Sequence, residues 1–182
     1  MHWAHPVTTG SPAIDFFISS EEMEPPGSEA YYSEKLLKLP GVGLYLDHFS
    51  NLSESKISEK TDDFRVVSIQ SLFKYLPQYD DFYVDLCILI PRAVVYFVEL
   101  PDSSLTAKFT HRIRGKMLLR AVDPDKHLKV VPRMGRSTLL DFLSNSDVYL
   151  DSFGWSGGNT TLDAVEAGCP IYTVPGRYIL LS

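Results

Sequence analysis

The chain has 182 residues, 45% hydrophobic and 22% charged, with a net charge of −6. That length suits one domain or one and a fraction, and the composition is that of a soluble globular protein rather than a disordered or fibrous one. The acidic balance argues against a nucleic-acid binder, no run approaches the roughly 18 apolar residues of a membrane span, and residues 1–6 lack the basic and apolar regions of a signal peptide, so a cytoplasmic location is the default. In chain order, residues 15–19 read as a strand and 29–38 as a short helix, with a turn at Pro25-Pro26-Gly27 between them. Residues 51–63 form a polar, charged stretch without apolar period and mark a boundary.

From Arg65 onward, short β-rich runs alternate with amphipathic ones, which is the mark of βαβ units and a mainly parallel sheet with flanking helices. The candidate strands are 65–68, 94–99, 128–131, 148–150 and 171–174. Between them Leu105, Phe109, Ile113 and Met117 recur every four residues, as on a helix with one buried stripe. Ser137 or Thr138 can cap a helix running to Asn145, and a further helix spans 159–167, stopped by Gly168 and Pro170. Cys87 and Cys169 lie in apolar surroundings without metal-binding or redox spacing and read as reduced core residues. His2, His48, His111 and His127 show no partner spacing that suggests a metal.

Chemistry concentrates where Gly157-Gly158-Asn159-Thr160-Thr161 turns the 148–150 strand into a helix. Glycines let the backbone approach an anion, and the N–H groups and macrodipole of a helix start favour negative charge. A plain capped helix start is the competing reading, since Asn and Thr cap helices whatever binds nearby. Lys74, in Gln70-Ser71-Leu72-Phe73-Lys74, follows the 65–68 strand at its carboxyl end, where open α/β sheets bind ligands; it is either a diphosphate counter-charge or a solvated loop lysine. Asp163, one turn into the last helix, can reach a ribose diol or simply compensate the macrodipole. Asp151, at the end of the 148–150 strand, can line the same mouth or accept hydrogen bonds from the next loop, and the structural role is the favoured reading. Trp155 and Tyr149 read as packing residues. His5, before Pro6-Val7-Thr8-Thr9-Gly10, is either a general base in a hydroxyl-rich loop or an ordinary surface histidine. No nucleophile elbow, Walker lysine motif or dinucleotide fingerprint is present.

Five blocks, in order, resemble the catalytic region of the SPINDLY and O-linked N-acetylglucosamine transferase family, especially its bacterial members. They are His5–Gly10 with Ile14-Asp15-Phe16; Tyr32-Ser33-Glu34-Lys35-Leu36; Gln70–Lys74; Asp147-Val148-Tyr149-Leu150-Asp151; and Gly157–Asp163 with Ala167-Gly168-Cys169-Pro170. The resemblance implies a GT-B architecture of two Rossmann-like domains with a nucleotide-sugar between them, often preceded by tetratricopeptide repeats. It implies metal-independent, inverting transfer of a sugar to protein Ser or Thr hydroxyls. Residues 1–50 would then be the end of the N-terminal catalytic domain, 51–63 a linker, and 64–182 the C-terminal nucleotide-sugar-binding domain, incomplete at its C-terminus.

On the same resemblance Lys74 corresponds to the lysine that contacts the donor diphosphate and His5 to the active-site loop position. Gln70, Gly157, Gly158, Asn159, Thr160 and Thr161 fall in diphosphate-contacting segments. Asp163 matches the ribose-contacting aspartate, and Met134 and Arg136 lie in the base-contacting segment. The family's animal enzyme has a histidine in the phosphate turn where this chain has Gly158 or Asn159, and Glu166 stands where an aromatic is common. The implied donor is UDP-N-acetylglucosamine, with GDP-fucose and UDP-glucose as the alternatives that family relatives use. A second class of reading is a truncated, non-catalytic nucleotide-binding module. Under either, the isolated chain is expected to be inactive, because a cleft with one wall cannot exclude water or orient a protein acceptor.

Overall fold

The computed structural model describes residues 8–43, 62–154 and 156–174. These fall into two compact units, 8–43 and 62–173, each with its own sheet.

In the first unit, β1 (Phe16–Ser20) and β2 (Lys35–Leu39) pair in parallel, from Phe16 opposite Lys35 to Ser20 opposite Leu39. Gly27, at φ 80, makes the turn after the two prolines and leads into a 3-10 turn, Ser28–Tyr31. The helix expected over 29–38 therefore does not form. Glu, Lys and Leu favour a helix intrinsically, but here pairing overrides that weak preference. Every residue of 35–39 has a partner in β1, the Lys35 N–H donates to the Asp15 carbonyl at 2.9 Å, and the Tyr32 ring packs 4.7 Å from that of Phe17. All of the 51–63 stretch except 62–63 lies outside the described residues.

The second unit is a five-stranded, wholly parallel sheet of β3 (Phe64–Ser68), β4 (Ala93–Val98), β5 (Leu128–Val131), β6 (Val148–Leu150) and β7 (Ile171–Tyr172). The spatial order is β5-β4-β3-β6-β7. Each of the five expected strands is present with its ends shifted by at most two residues. Flanking helices are α1 (Asp80–Leu89), α2 (Ser103–Leu119), the single turn α3 (Pro124–His127), α4 (Arg136–Ser144) and α5 (Asn159–Glu166).

Both faces of the sheet are covered, as a parallel sheet requires. The strand period of two sends Val66, Val95, Phe97 and Leu150 to one layer with Tyr83, Val84 and Cys87 of α1 and Phe109, Ile113 and Met117 of α2. Val67 and Tyr149 point into the other layer, with Leu143 of α4, Ala164 of α5 and Cys169. The expected α2 stripe is thus buried from Phe109 onward, whereas Leu105, in the first turn, is exposed. Both cysteines are free and buried, and burial pushes each thiol up to about 11. The sequence reading assigns nothing to 80–89. Helix α4 begins at Arg136, with Gly135 rather than Ser137 or Thr138 at its N-cap. No helix among the described residues is long and apolar enough to cross a membrane.

Strand order decides where a ligand can sit. The connection leaving β3 runs to β4 on one side, and that leaving β6 runs to β7 on the other, so the carboxyl ends of these two neighbours open a crevice at the point where the order reverses.

Candidate functional site

Two loops meet at that crevice, 69–74 after β3 and 151–158 after β6. The strand ends are clasped together, since the Ser68 hydroxyl donates to the Leu150 carbonyl at 2.7 Å. The first loop is braced from below by Tyr75, whose fully buried phenol accepts from the Gln70 N–H at 2.9 Å and lies 3.0 Å from Ser68 Oγ. Desolvation raises that phenol well above its ordinary range, keeping it neutral.

Gln70 is buried, and its side-chain amide links the two loops. Its Nε2 donates to the Tyr149 hydroxyl at 2.7 Å and to Thr160 Oγ1 in a short contact, while its Oε1 accepts from Lys74 Nζ at 3.1 Å. Lys74 Nζ also donates to the Ser156 carbonyl at 3.2 Å. Half-burial lowers the Lys74 pKa, and the charge of Asp151 opposes that shift. The ammonium thus meets the Gln70 and Ser156 oxygens at the mouth of the crevice, where a positive charge suits an anion.

At Gly157 an added Cβ would run into the Gln70 amide and fall 2.6 Å from Thr161 Oγ1 and 2.8 Å from Thr160 Oγ1. Only a glycine lets the turn approach Gln70 this closely. Gly158 is the N-cap of α5, with no side chain capping the helix, so the plain side-chain cap is not what the turn builds. Asn159 is exposed as the first helical residue, and Thr161 Oγ1, shielded from solvent beside the Tyr149 phenol, has no hydrogen bond of good geometry among the described residues. A buried hydroxyl without a partner is costly unless a ligand completes it.

Arg136, opening α4, reaches α5. Its Nε pairs with Asp163 Oδ1 at 3.0 Å and its Nη2 with Glu166 Oε2 at 2.6 Å. Met134 is half-buried in the loop just before α4. The structure therefore gathers Gln70, Lys74, Gly157 and Thr160 into one network and sets Arg136 beside Asp163. His5, like Trp155, lies outside the described residues. Tyr149, expected to be a packing residue, is fully buried and also hydrogen-bonds Gln70 and Thr160. The Arg136–Glu166 pair has no local signal in the sequence, since its partners lie 30 positions apart.

No protein-family profile matches the chain. A curated relative from Arabidopsis thaliana, "Probable UDP-N-acetylglucosamine--peptide N-acetylglucosaminyltransferase SEC", is 27% identical over 180 residues, covering 93% of this chain and 18% of the plant protein. Among solved structures, a mutant O-GlcNAc transferase from Thermobaculum terrenum superposes with a TM-score of 0.79 at 25% identity, covering 98% of this chain and 33% of the bacterial one. The GtfA/B complex and the trehalose-6-phosphate synthase OtsA share the fold, with TM-scores of 0.53 and 0.52 at 16% identity. In sequence and structure the chain resembles the SPINDLY and O-GlcNAc transferase family, as its ordered blocks implied, and its larger unit is a Rossmann-like domain of the GT-B glycosyltransferase kind. It spans about a fifth of the plant relative and a third of the bacterial structure.

Proposed function

We propose that residues 62–174 provide the donor half of a protein glycosyltransferase, with a nucleotide-sugar diphosphate held between Lys74 and the 157–161 turn and its ribose on Asp163. The observation that carries this reading is the network in which Lys74, Gln70, the Ser156 carbonyl and Thr160 converge at the switch point of the sheet. Transfer leaves a nucleoside diphosphate on which negative charge grows as the glycosidic bond breaks. A preorganised ammonium, together with the first-turn N–H groups of α5 and the Thr161 hydroxyl, stabilises that charge more in the transition state than in the bound donor. Burial of Lys74 strengthens the interaction by excluding water.

In this reading the donor is UDP-N-acetylglucosamine, the acceptor a protein Ser or Thr hydroxyl, and His5 a member of the active-site loop. The 1–50 segment ends the N-terminal catalytic domain, 51–63 links it, and 64–182 binds donor. Met134 and Arg136 face the nucleoside end and bear on the choice of base. Calorimetric titration with UDP and GDP tests the assignment. UDP should bind, and Lys74→Ala and Asp163→Ala should each weaken it at least about tenfold, as expected for lost hydrogen bonds to charged groups. Preference for GDP would redirect the donor to a GDP-sugar. Absence of binding by either nucleotide would refute the donor-site reading.

A further inference from the structure

The residues assigned to diphosphate and ribose do not explain what holds the β6–α5 loop in shape. Asp151, directly after β6, is 3% exposed, and both of its carboxylate oxygens are engaged. Oδ1 accepts from the Ser152 N–H and from the Gly157 N–H, each at 2.8 Å, and Oδ2 accepts from the Thr173 hydroxyl at 3.1 Å. One oxygen thus spans the loop from its first residue to the glycine of the turn, and the other ties it to the segment after β7. All three donors are neutral groups.

One peptide group joins this carboxylate to Lys74, since its Gly157 N–H donates to Asp151 and its Ser156 carbonyl accepts from Lys74 Nζ. The ammonium meets Gln70 from the loop after β3 and the Ser156 carbonyl from the loop after β6, with the Asp151 carboxylate across that peptide; Tyr149, reached through Gln70, is kept neutral by burial. Burial works against a protonated Lys74, and Asp151 works for it.

We propose that Asp151 is the positioning residue of this site, folding the 152–157 loop into its anion-receiving shape and supplying the counter-charge of the Lys74 ammonium. The inference rests on reading Lys74 and the 157–161 turn as a diphosphate site. Its two roles separate chemically. Asp151→Asn keeps an oxygen for the Ser152 and Gly157 N–H groups and lets the Thr173 hydroxyl accept instead of donate, but removes the charge. Asp151→Ala removes both and strands two N–H donors.

The test uses the full chain. Amide exchange at Ser152 and Gly157 and the NMR titration of a 13C-labelled Lys74 amine are followed without ligand, then UDP affinity is measured across pH. Asp151→Ala should release the Gly157 amide to exchange and weaken UDP at least about tenfold, the scale of stranded buried donors. Asp151→Asn should leave the amides protected while Lys74 titrates at lower pH than in the unaltered chain, so that UDP affinity falls at lower pH as the medium becomes alkaline. An unmoved Lys74 titration in Asp151→Asn, or a still-protected Gly157 amide in Asp151→Ala, would overturn the proposal. Failure of the unaltered chain to bind UDP or GDP would instead refute the donor site, because the exchange and titration readouts need no ligand.

Discussion

Replacing Gly157 by alanine tests the turn by the sign of its effect. Gly157 does not occupy the left-handed region, so a methyl group there would by itself stabilise the protein by about 0.4–1 kcal/mol through the unfolded chain. Sterics oppose that gain. The new Cβ would lie 2.6 Å from Thr161 Oγ1 and 2.8 Å from Thr160 Oγ1, and would displace the Gln70 amide, which is fastened to Tyr149 and Thr160. Breaking those two buried hydrogen bonds costs about 1 kcal/mol each, and the threonine hydroxyls sit on a helix that can shift little. The net expectation is a loss of about 1–2 kcal/mol after the entropic gain is set against strain and lost bonds, or a fall in Tm of roughly 2–8 °C for a chain of this size. UDP affinity should fall at least about tenfold, because Lys74 loses Gln70 as a partner. The control is Gly115→Ala in α2, where an added Cβ meets nothing within 4 Å; there helix propensity should raise stability by about 0.5–1 kcal/mol. Thermal unfolding by circular dichroism and calorimetry read both quantities. A Gly157→Ala chain as stable as its parent, with unchanged UDP affinity, would refute the close approach of the turn to Gln70.

Arg112 grips the buried Asp80 carboxylate through Nε at 2.9 Å and Nη2 at 3.1 Å and also donates to the Tyr75 carbonyl. Arg112→Ala should cost about 2–3 kcal/mol in urea unfolding at pH 7, toward the low end for a buried pair because the arginine is partly exposed. Burial already raises the Asp80 pKa and Arg112 opposes it, so without the arginine the folded carboxyl takes up a proton more readily and the penalty should shrink by pH 5; an equal penalty at both would count against this account. In the first unit, hydrogen bonds from the Thr8 hydroxyl at 2.5 Å and from Thr9 push Glu34 down to about 2. Its stabilising effect is therefore complete above the ordinary carboxylate range near 4.5 and is lost as pH falls toward 2. The Thr9 amide resonance should titrate with that low midpoint and go flat in Glu34→Gln; a midpoint near 4.5 would contradict the arrangement. Cys87 and Cys169, pushed up to about 11, should resist a thiol reagent at pH 8 in the native chain and react once unfolded in urea, and native reactivity would show that their burial is wrong.

The parallel sheet could be read from the chain because its strands are short apolar runs whose burial on both faces demands that composition. Two elements were less legible, for different reasons. In 80–89 the buried Asp80, Tyr83, Val84 and Cys87 have helical spacing, but that face carries an acid and the exposed side carries Ile88 and Leu89, so apolar residues run almost without a break over 82–89 and blur the period in the sequence. Over 35–39, pairing with a strand some twenty positions earlier decides the outcome, and no local pattern encodes a parallel partner. Lys74 and the glycine turn were visible because residue type and position relative to strand ends suffice to place them. The Gln70 amide as the link between loops depends on bonds spanning 79 and 90 positions, whereas Asp151 was legible as an acceptor for the loop that follows it, though not its reach to Gly157.

Glu166 illustrates how a departure from a family pattern becomes intelligible once its neighbours are known. It is the last residue of α5, three positions after Asp163, so both carboxylates lie on one helix face, and that face meets Arg136 at the start of α4. The pair is too exposed on the arginine side to add much stability. Its effect is geometric. A guanidinium held by two carboxylates has its plane fixed, and it meets Asp163 through Oδ1, leaving Oδ2 without a hydrogen bond among the described residues. Arg136 with Asp163 alone could swing and cover both oxygens in a bidentate fork. Drawn toward Glu166, it takes one oxygen and leaves the other to the ribose diol of the proposed donor. An aromatic at this position could stack on the guanidinium but could not share its donors, so on the proposed donor site Glu166 and Arg136 act together to orient the Asp163 carboxylate.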